Sequence, residues 1–163
     1  MEYKYCPMCT TPLVLAVDPF DDRERATCPG CGWIHRPAHP IGVLAVLEHE
    51  GGIVLTHPLG DGYAALPGLF VDRGETVESG IARAVREQTG LEIAVLADIA
   101  RFTQPGTPLG TAVIVGVRAH SIGGSLLTRG SDGEVGLYAR DALPEIIPVR
   151  AANLRVMAAW LEG

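Results

Sequence analysis

The chain has 163 residues, 47% of them apolar and 20% charged, with a formal net charge of −6. That length suits one domain of ordinary size with a small accessory module, and the composition suits a soluble globular fold. An acidic chain with no Lys/Arg run repels nucleic-acid phosphates. No apolar stretch reaches the roughly 20 residues that span a bilayer, and the opening MEYKYCPMCT lacks the basic and apolar regions of a signal peptide. Neither nucleic acid nor membrane is expected as a partner, and the cytoplasm is the expected location.

All four cysteines lie early, as Cys6-Pro-Met-Cys9 and Cys28-Pro-Gly-Cys31. Two thiolates three positions apart on a tight turn face one ion, and a second such turn completes a tetrahedral four-sulfur site that suits Zn²⁺. Pro within each pair and Gly30 and Gly32 around the second supply the turn chemistry. Two disulfides are the alternative, disfavoured by the lack of an export signal. A closed four-thiolate site leaves no position for substrate, so the zinc is expected to be structural, in a ribbon over residues 1–36. Arg36-Pro37-Ala38-His39-Pro40 reads as a Pro-rich joint to a second domain over 37–163, and Trp33 is expected to pack the ribbon against that body.

Past the joint, Ile41 to Leu47 is a nearly unbroken apolar run and reads as a buried strand. Glu50-Gly51-Gly52 is a turn, and Ile53 to Thr56 the return strand. Tyr63 to Leu66 reads as a short strand ended by Pro67-Gly68, followed by a turn-rich loop over Leu69 to Gly74. A helix is expected from Val77 to Gln88, with Thr76 as N-cap, Val77, Ile81 and Val85 as the buried stripe and Gly90 as the stop. Strands are expected within Leu91 to Phe102, over Thr111 to Arg118 and over Glu134 to Arg140. The tail from Val149 to Leu161 reads as a helix with Leu154, Met157, Ala158 and Leu161 on its packed face. Pro105-Gly106-Thr107-Pro108 reads equally as a lid or a plain connection.

Residues 66 to 91, LPGLFVDRGETVESGIARAVREQTGL, resemble the signature box of the Nudix hydrolases, and the ribbon in front is similar to that of the NADH pyrophosphatase branch. The resemblance covers essentially the whole chain. It implies an α+β fold, an α/β/α sandwich with a mixed sheet behind a small zinc ribbon. It also implies a loop–helix–loop that presents carboxylates to Mg²⁺ or Mn²⁺, which activates water against the diphosphate of a nucleoside-diphosphate-linked small molecule. Ribbon-bearing relatives often dimerise, so a homodimer is a further implication.

Carried over position by position, the box keeps Glu75, Arg83, Glu87, Gly90 and Leu91. Its opening Gly falls on Leu69, and two of its three helix carboxylates fall on Ala84 and Gln88. Positions 84, 87 and 88 share one helix face, which here carries one negative charge instead of three. Glu87 is the principal candidate ligand for Mg²⁺ or Mn²⁺, with Glu75 in support; Gln88 offers only a neutral carbonyl oxygen. A general base is sought at Asp132 or Glu134, before a late strand where relatives place another acid. Asp72 and Arg73 in the box loop, His57 before Pro58, and Tyr63 and Phe102 as stacking surfaces are weaker candidates. The expected function is a metal-dependent diphosphate hydrolase weakened by the two lost acids. A nucleotide-ligand-binding or regulatory protein is the alternative, and a ribbon adaptor a third.

Overall fold

The computed structural model describes residues 3–36, 38–58, 63–107, 110–146 and 151–163. It divides into two compact units, Met1–Ala38 and His39–Gly163. Pro37 of the joint, Pro108, and Val149, expected to open the last helix, lie outside the described residues.

In the first unit, β1 (Val14–Val17) and β2 (Glu24–Thr27) pair antiparallel between the two cysteine turns. Its fully buried side chains, among the described residues, are Cys6, Cys28 and Asp18. The Asp18 carboxylate accepts from Arg36 Nε at 2.7 Å and Nη2 at 2.9 Å and from the Phe20 N–H at 3.0 Å, so the hairpin loop is tied to the end of the ribbon. The Trp33 ring stacks on His35 at an interplanar angle of 14°, and Tyr3 meets both edge-on.

The second unit is built on a mixed sheet. Its strands are β3 (Ile41–His49), β4 (Gly52–His57), β5 (Gly68–Phe70), β6 (Leu91–Thr107), β7 (Gly110–Gly124), β8 (Arg129–Gly130) and β9 (Gly133–Tyr138). They run in the order β6-β7-β3-β4-β9-β8, with β5 paired to β3 off that path. The β3–β7 pairing is parallel and the others are antiparallel. The apolar run of β3 is explained by burial on both faces. Val43, Ala45 and Leu47 face a core shared with α1 (Val77–Thr89). Leu44 and Val46 face a second core shared with α2 (Ala151–Glu162). This is the expected α/β/α sandwich.

Four expectations need correction. Gly68–Phe70, read as a strand stop at Gly68 and a loop from Leu69, is a strand. It pairs with Gly42–Leu44 because Gly68 lies against β3 where a Cβ would sit 2.1 Å from the Val43 carbonyl oxygen. Tyr63 to Leu66 forms only isolated bridges, Ala65 with Thr56 and Ala64 with Ile146. β6 and β7 are longer than expected, and Gln104 to Thr107 continue the hairpin with Thr107 opposite Gly110, so the described part of that segment is strand. Finally, α2 turns a different face inward: Asn153, Val156, Met157 and Trp160 are buried, while Leu154 and Leu161 are 43% and 55% exposed.

Candidate functional site

The local frame of α1 follows from its ends. Thr76 is the N-cap: its hydroxyl oxygen accepts from the Ser79 N–H at 3.1 Å, and the Ser79 oxygen accepts from the Thr76 N–H at 2.9 Å. This reciprocal pair satisfies two donors that a helix start leaves open. At the other end Gly90 adopts the left-handed conformation, φ 79°. A side chain there would meet the Ser125 carbonyl oxygen at 2.5 Å, so only glycine fits the turn into β6.

Between those ends the box residues separate into distinct jobs. Arg83 makes a two-pronged pair with Glu75, Nε to Oε1 and Nη2 to Oε2, both 2.7 Å. The Asp72 N–H also donates to Glu75 Oε2 at 2.8 Å, and the Asp72 carboxylate lies 3.1 Å from Arg83. The Arg83 guanidinium, helped by that N–H, holds the Glu75 carboxyl down at about 2. Both Glu75 oxygens are thus committed to the loop-to-helix junction. Glu87 is different: its side chain is 49% exposed, with Arg83 3.7 Å away. It lines an open hollow of about 680 Å³ with Arg83, Arg86, Glu92 and Ile93.

Positions 84 and 88 turn toward the sheet. Ala84 is fully covered within the α1 core. Gln88 is 6% exposed, and its amide makes a two-way bridge to one residue: Nε2 donates to the Gly68 carbonyl at 3.0 Å, and Oε1 accepts from the Gly68 N–H at 2.8 Å. The carbonyl oxygen that sequence reasoning offered to a cation is therefore engaged by backbone. A single half-exposed carboxylate from α1 does not make a resident Mg²⁺ or Mn²⁺ site. It does suit the protein's share of an ion that arrives held by a diphosphate, since such ions are often bound by one or two carboxylates plus the phosphates themselves.

The β8–β9 turn adjoins the end of α1, because the Ser131 N–H donates to the Glu87 carbonyl at 3.1 Å. Asp132 and Glu134 belong to that hairpin. Glu134 is exposed and paired with Arg129 at 3.1 Å. His57 Nε2 lies 2.6 Å from the Tyr138 hydroxyl, and Phe102 lies under the Arg155 guanidinium, 3.6 Å from the ring centre. Arg73 and Tyr63 are exposed.

On the other side of β5 lies an apolar cavity of about 400 Å³. Leu44, Phe70 and Ile114 supply apolar walls, and Gln104 and Asn153 polar edges. Asn153 Oδ1 accepts from the Leu66 N–H at 2.8 Å, which fixes the start of α2 beside the cavity. Sequence reasoning missed Asn153 and the Gln88–Gly68 bridge. The one available signal was a polar residue at helical spacing with Val156, Met157 and Trp160.

In the ribbon, the Sγ atoms of Cys6, Cys9, Cys28 and Cys31 all lie within 4.8 Å of one another, with Cys6–Cys31 at 3.6 Å and Cys9–Cys28 at 3.4 Å. A tetrahedral ion with bonds of about 2.3 Å sets sulfurs about 3.8 Å apart, so the four thiols fit zinc. The Thr11 hydroxyl, together with its backbone, holds the Cys9 thiol down at about 6.

A mixed sheet between two helices, a capped helix entered through a loop, and a four-thiol ribbon together point to the Nudix class of fold. The chain belongs to the Nudix family: the NUDIX domain model matches residues 38–159, and the zinc-ribbon model described as Nudix N-terminal matches residues 4–35. It is similar to the NAD-capped RNA hydrolase NudC of Chromobacterium violaceum, 27% identical over 93% of this chain and 56% of that protein. It is also similar to the ADP-ribose pyrophosphatase of Methanocaldococcus jannaschii, 30% identical over 77% of each chain. The chain spans about half the length of the curated NudC relatives it matches over nearly its whole extent. Among solved structures, a NUDIX hydrolase from Nitrosomonas europaea superposes with a TM-score of 0.71 at 25% identity, covering 99% of this chain and 94% of that one. The NUDIX domain of Shewanella oneidensis NrtR, solved with ADP ribose, shares the fold at a TM-score of 0.57 and 19% identity, covering 78% of this chain and 89% of that one.

Proposed function

We propose that the chain binds a nucleoside-diphosphate-linked small molecule of the ADP-ribose or NADH type and hydrolyses it slowly, with a structural zinc in the ribbon. The observation that carries this reading is the division of labour among the box residues: Arg83 and Glu75 hold the loop–helix junction together while Glu87 stays half-exposed beside Arg83 and Arg86. Arg86 beside Glu87 suits the diphosphate, because a guanidinium matches phosphate oxygens in a planar, two-pronged geometry. The apolar cavity behind β5 suits the rest of the ligand, since such pockets combine apolar walls with a few polar edges. A divalent ion arriving with the diphosphate supplies charge neutralisation and water activation when it is bound. With Ala84 and Gln88 turned to the sheet, Glu87 is left to offer a carboxylate from this face. Loss of positioned carboxylates of this kind lowers turnover by about 10²–10⁴-fold each where they serve as general bases.

The same burial favours a second reading, in which the domain binds the ligand as a sensor or partner subunit and does not cleave it. Turnover of ADP-ribose, NADH and dinucleoside polyphosphates with Mg²⁺ and Mn²⁺ separates the two. Slow, divalent-dependent product formation that Glu87→Gln abolishes is the expected result. Ligand binding with no product over the whole panel would replace the hydrolase by the binding protein, and no binding at all would remove both.

A further inference from the structure

The bridge between Gln88 and Gly68 explains what the glutamine does in a position where the family box has an acid. β5 is three residues long and pairs, among the described residues, only with β3. A strand that short with one partner is marginal by itself. Gly68 opens it, Leu69 packs toward the α1 core, and Phe70 packs toward the α2 core. All three residues line the 400 Å³ cavity. Gln88 meets Gly68 from the helix side, and its own backbone is wedged in place by Gly130, where a Cβ would lie 1.8 Å from the Gln88 carbonyl oxygen. The bridge uses both halves of the amide, a donor and an acceptor, against one residue whose N–H and C=O are the complementary pair.

We propose that Gln88 is a positioning residue for the ligand cavity: acting through the Gly68 backbone, it holds β5 as the cavity wall and is not a cation ligand. A carboxylate at this site accepts from the Gly68 N–H but turns its second oxygen against the Gly68 carbonyl. The assignment rests on the proposed function only in taking the cavity as the seat of the ligand.

The test compares wild type, Gln88→Ala and Gln88→Glu by ADP-ribose calorimetry without added divalent ion and by Mn²⁺ titration. Loss of the bridge should weaken ADP-ribose binding about tenfold in Gln88→Ala, the scale of one to two net hydrogen bonds. Gln88→Glu should lose as much, because a carboxylate has no donor for the Gly68 carbonyl. Neither variant should bind Mn²⁺ differently from wild type. Tighter Mn²⁺ binding by Gln88→Glu with unchanged ADP-ribose affinity would make position 88 a cation position after all. Equal ADP-ribose affinity in wild type and Gln88→Ala would overturn this inference alone. Wild type that binds no ADP-ribose would overturn the proposed function and this assignment with it. Should Gln88→Ala fail to fold, Gln88→Glu decides the matter: ADP-ribose affinity equal to wild type would overturn the inference.

Discussion

Glu75 acquires its partners only when the box loop meets α1, and the Arg83 guanidinium then lowers its pKa from 4.5 to about 2. A carboxyl whose folded pKa lies below its unfolded value contributes stability that is present above the unfolded pKa and lost as pH falls through the folded one. The window is therefore from about pH 4.5 down to about pH 2. Glu75→Gln should melt below wild type at pH 7, and the gap between the two proteins should close through that window. Melts followed by circular dichroism at matched pH values measure it, and the comparison with the variant cancels other acid-sensitive groups. A gap that stays constant to pH 2 would mean that the pair contributes packing and not charge. The same ion pair explains why Glu75 and Glu87, similar in sequence, differ in role. One has both oxygens committed to Arg83 and the Asp72 N–H, and the other keeps its carboxylate half in solvent.

At the scale of elements, what was legible in the sequence is what local chemistry decides. β3 was legible because an uninterrupted apolar run needs cover on both faces, and α1 because Thr76, the Ile81 and Val85 stripe and Gly90 agree on its ends. β5 was hidden because its pairing is decided by Gly68 fitting under β3 and by a side chain 20 residues away, neither of which leaves a periodic pattern. In the candidate site, the placement of Arg83 and Glu87 on α1 followed from register, while the inward turn of Ala84 and Gln88 depends on β5 and so escaped. α2 carries two overlapping apolar stripes, and counting leucines picks the wrong one. Asn153 and Trp160 choose the other: Asn153 answers the buried Leu66 N–H, and Trp160 fills the α2 core beneath the Arg140 guanidinium, 4.4 Å from its ring centre. Trp160→Ala should therefore cost about 3–5 kcal/mol, whereas Leu154→Ala should stay within about 0.5 kcal/mol. Urea titrations of the two variants check this, and comparable losses in both would restore the leucine face.

At the scale of the whole molecule, the two units have unlike sources of stability. The His39–Gly163 unit holds two apolar cores, one on each face of its sheet. The Met1–Ala38 unit buries, among its described residues, two thiols and one carboxylate, while Tyr5, Met8, Leu15, Val17 and Phe20 remain exposed. A unit of that size without an apolar interior needs a staple. The Asp18–Arg36 pair ties its hairpin to its exit, yet burying the Asp18 carboxylate costs desolvation that offsets much of the attraction. The remaining source is the four-thiol cluster, where metal binding and folding are one equilibrium. Native mass measurement should show one zinc per chain. A strong chelator at neutral pH should collapse amide protection across Val14–Val17 and Glu24–Thr27 while Ile41–His49 and Gly110–Gly124 stay protected. Acid should do the same, because thiols must lose their protons to bind the ion. Cys28→Ser should reproduce the selective loss without chelator, since it removes a buried ligand of the cluster and touches neither core of the larger unit. Protection in β1 and β2 that survives chelation would show that the hairpin and its Asp18 network fold without metal. Simultaneous loss of both units would show that the larger one depends on the ribbon for its own stability.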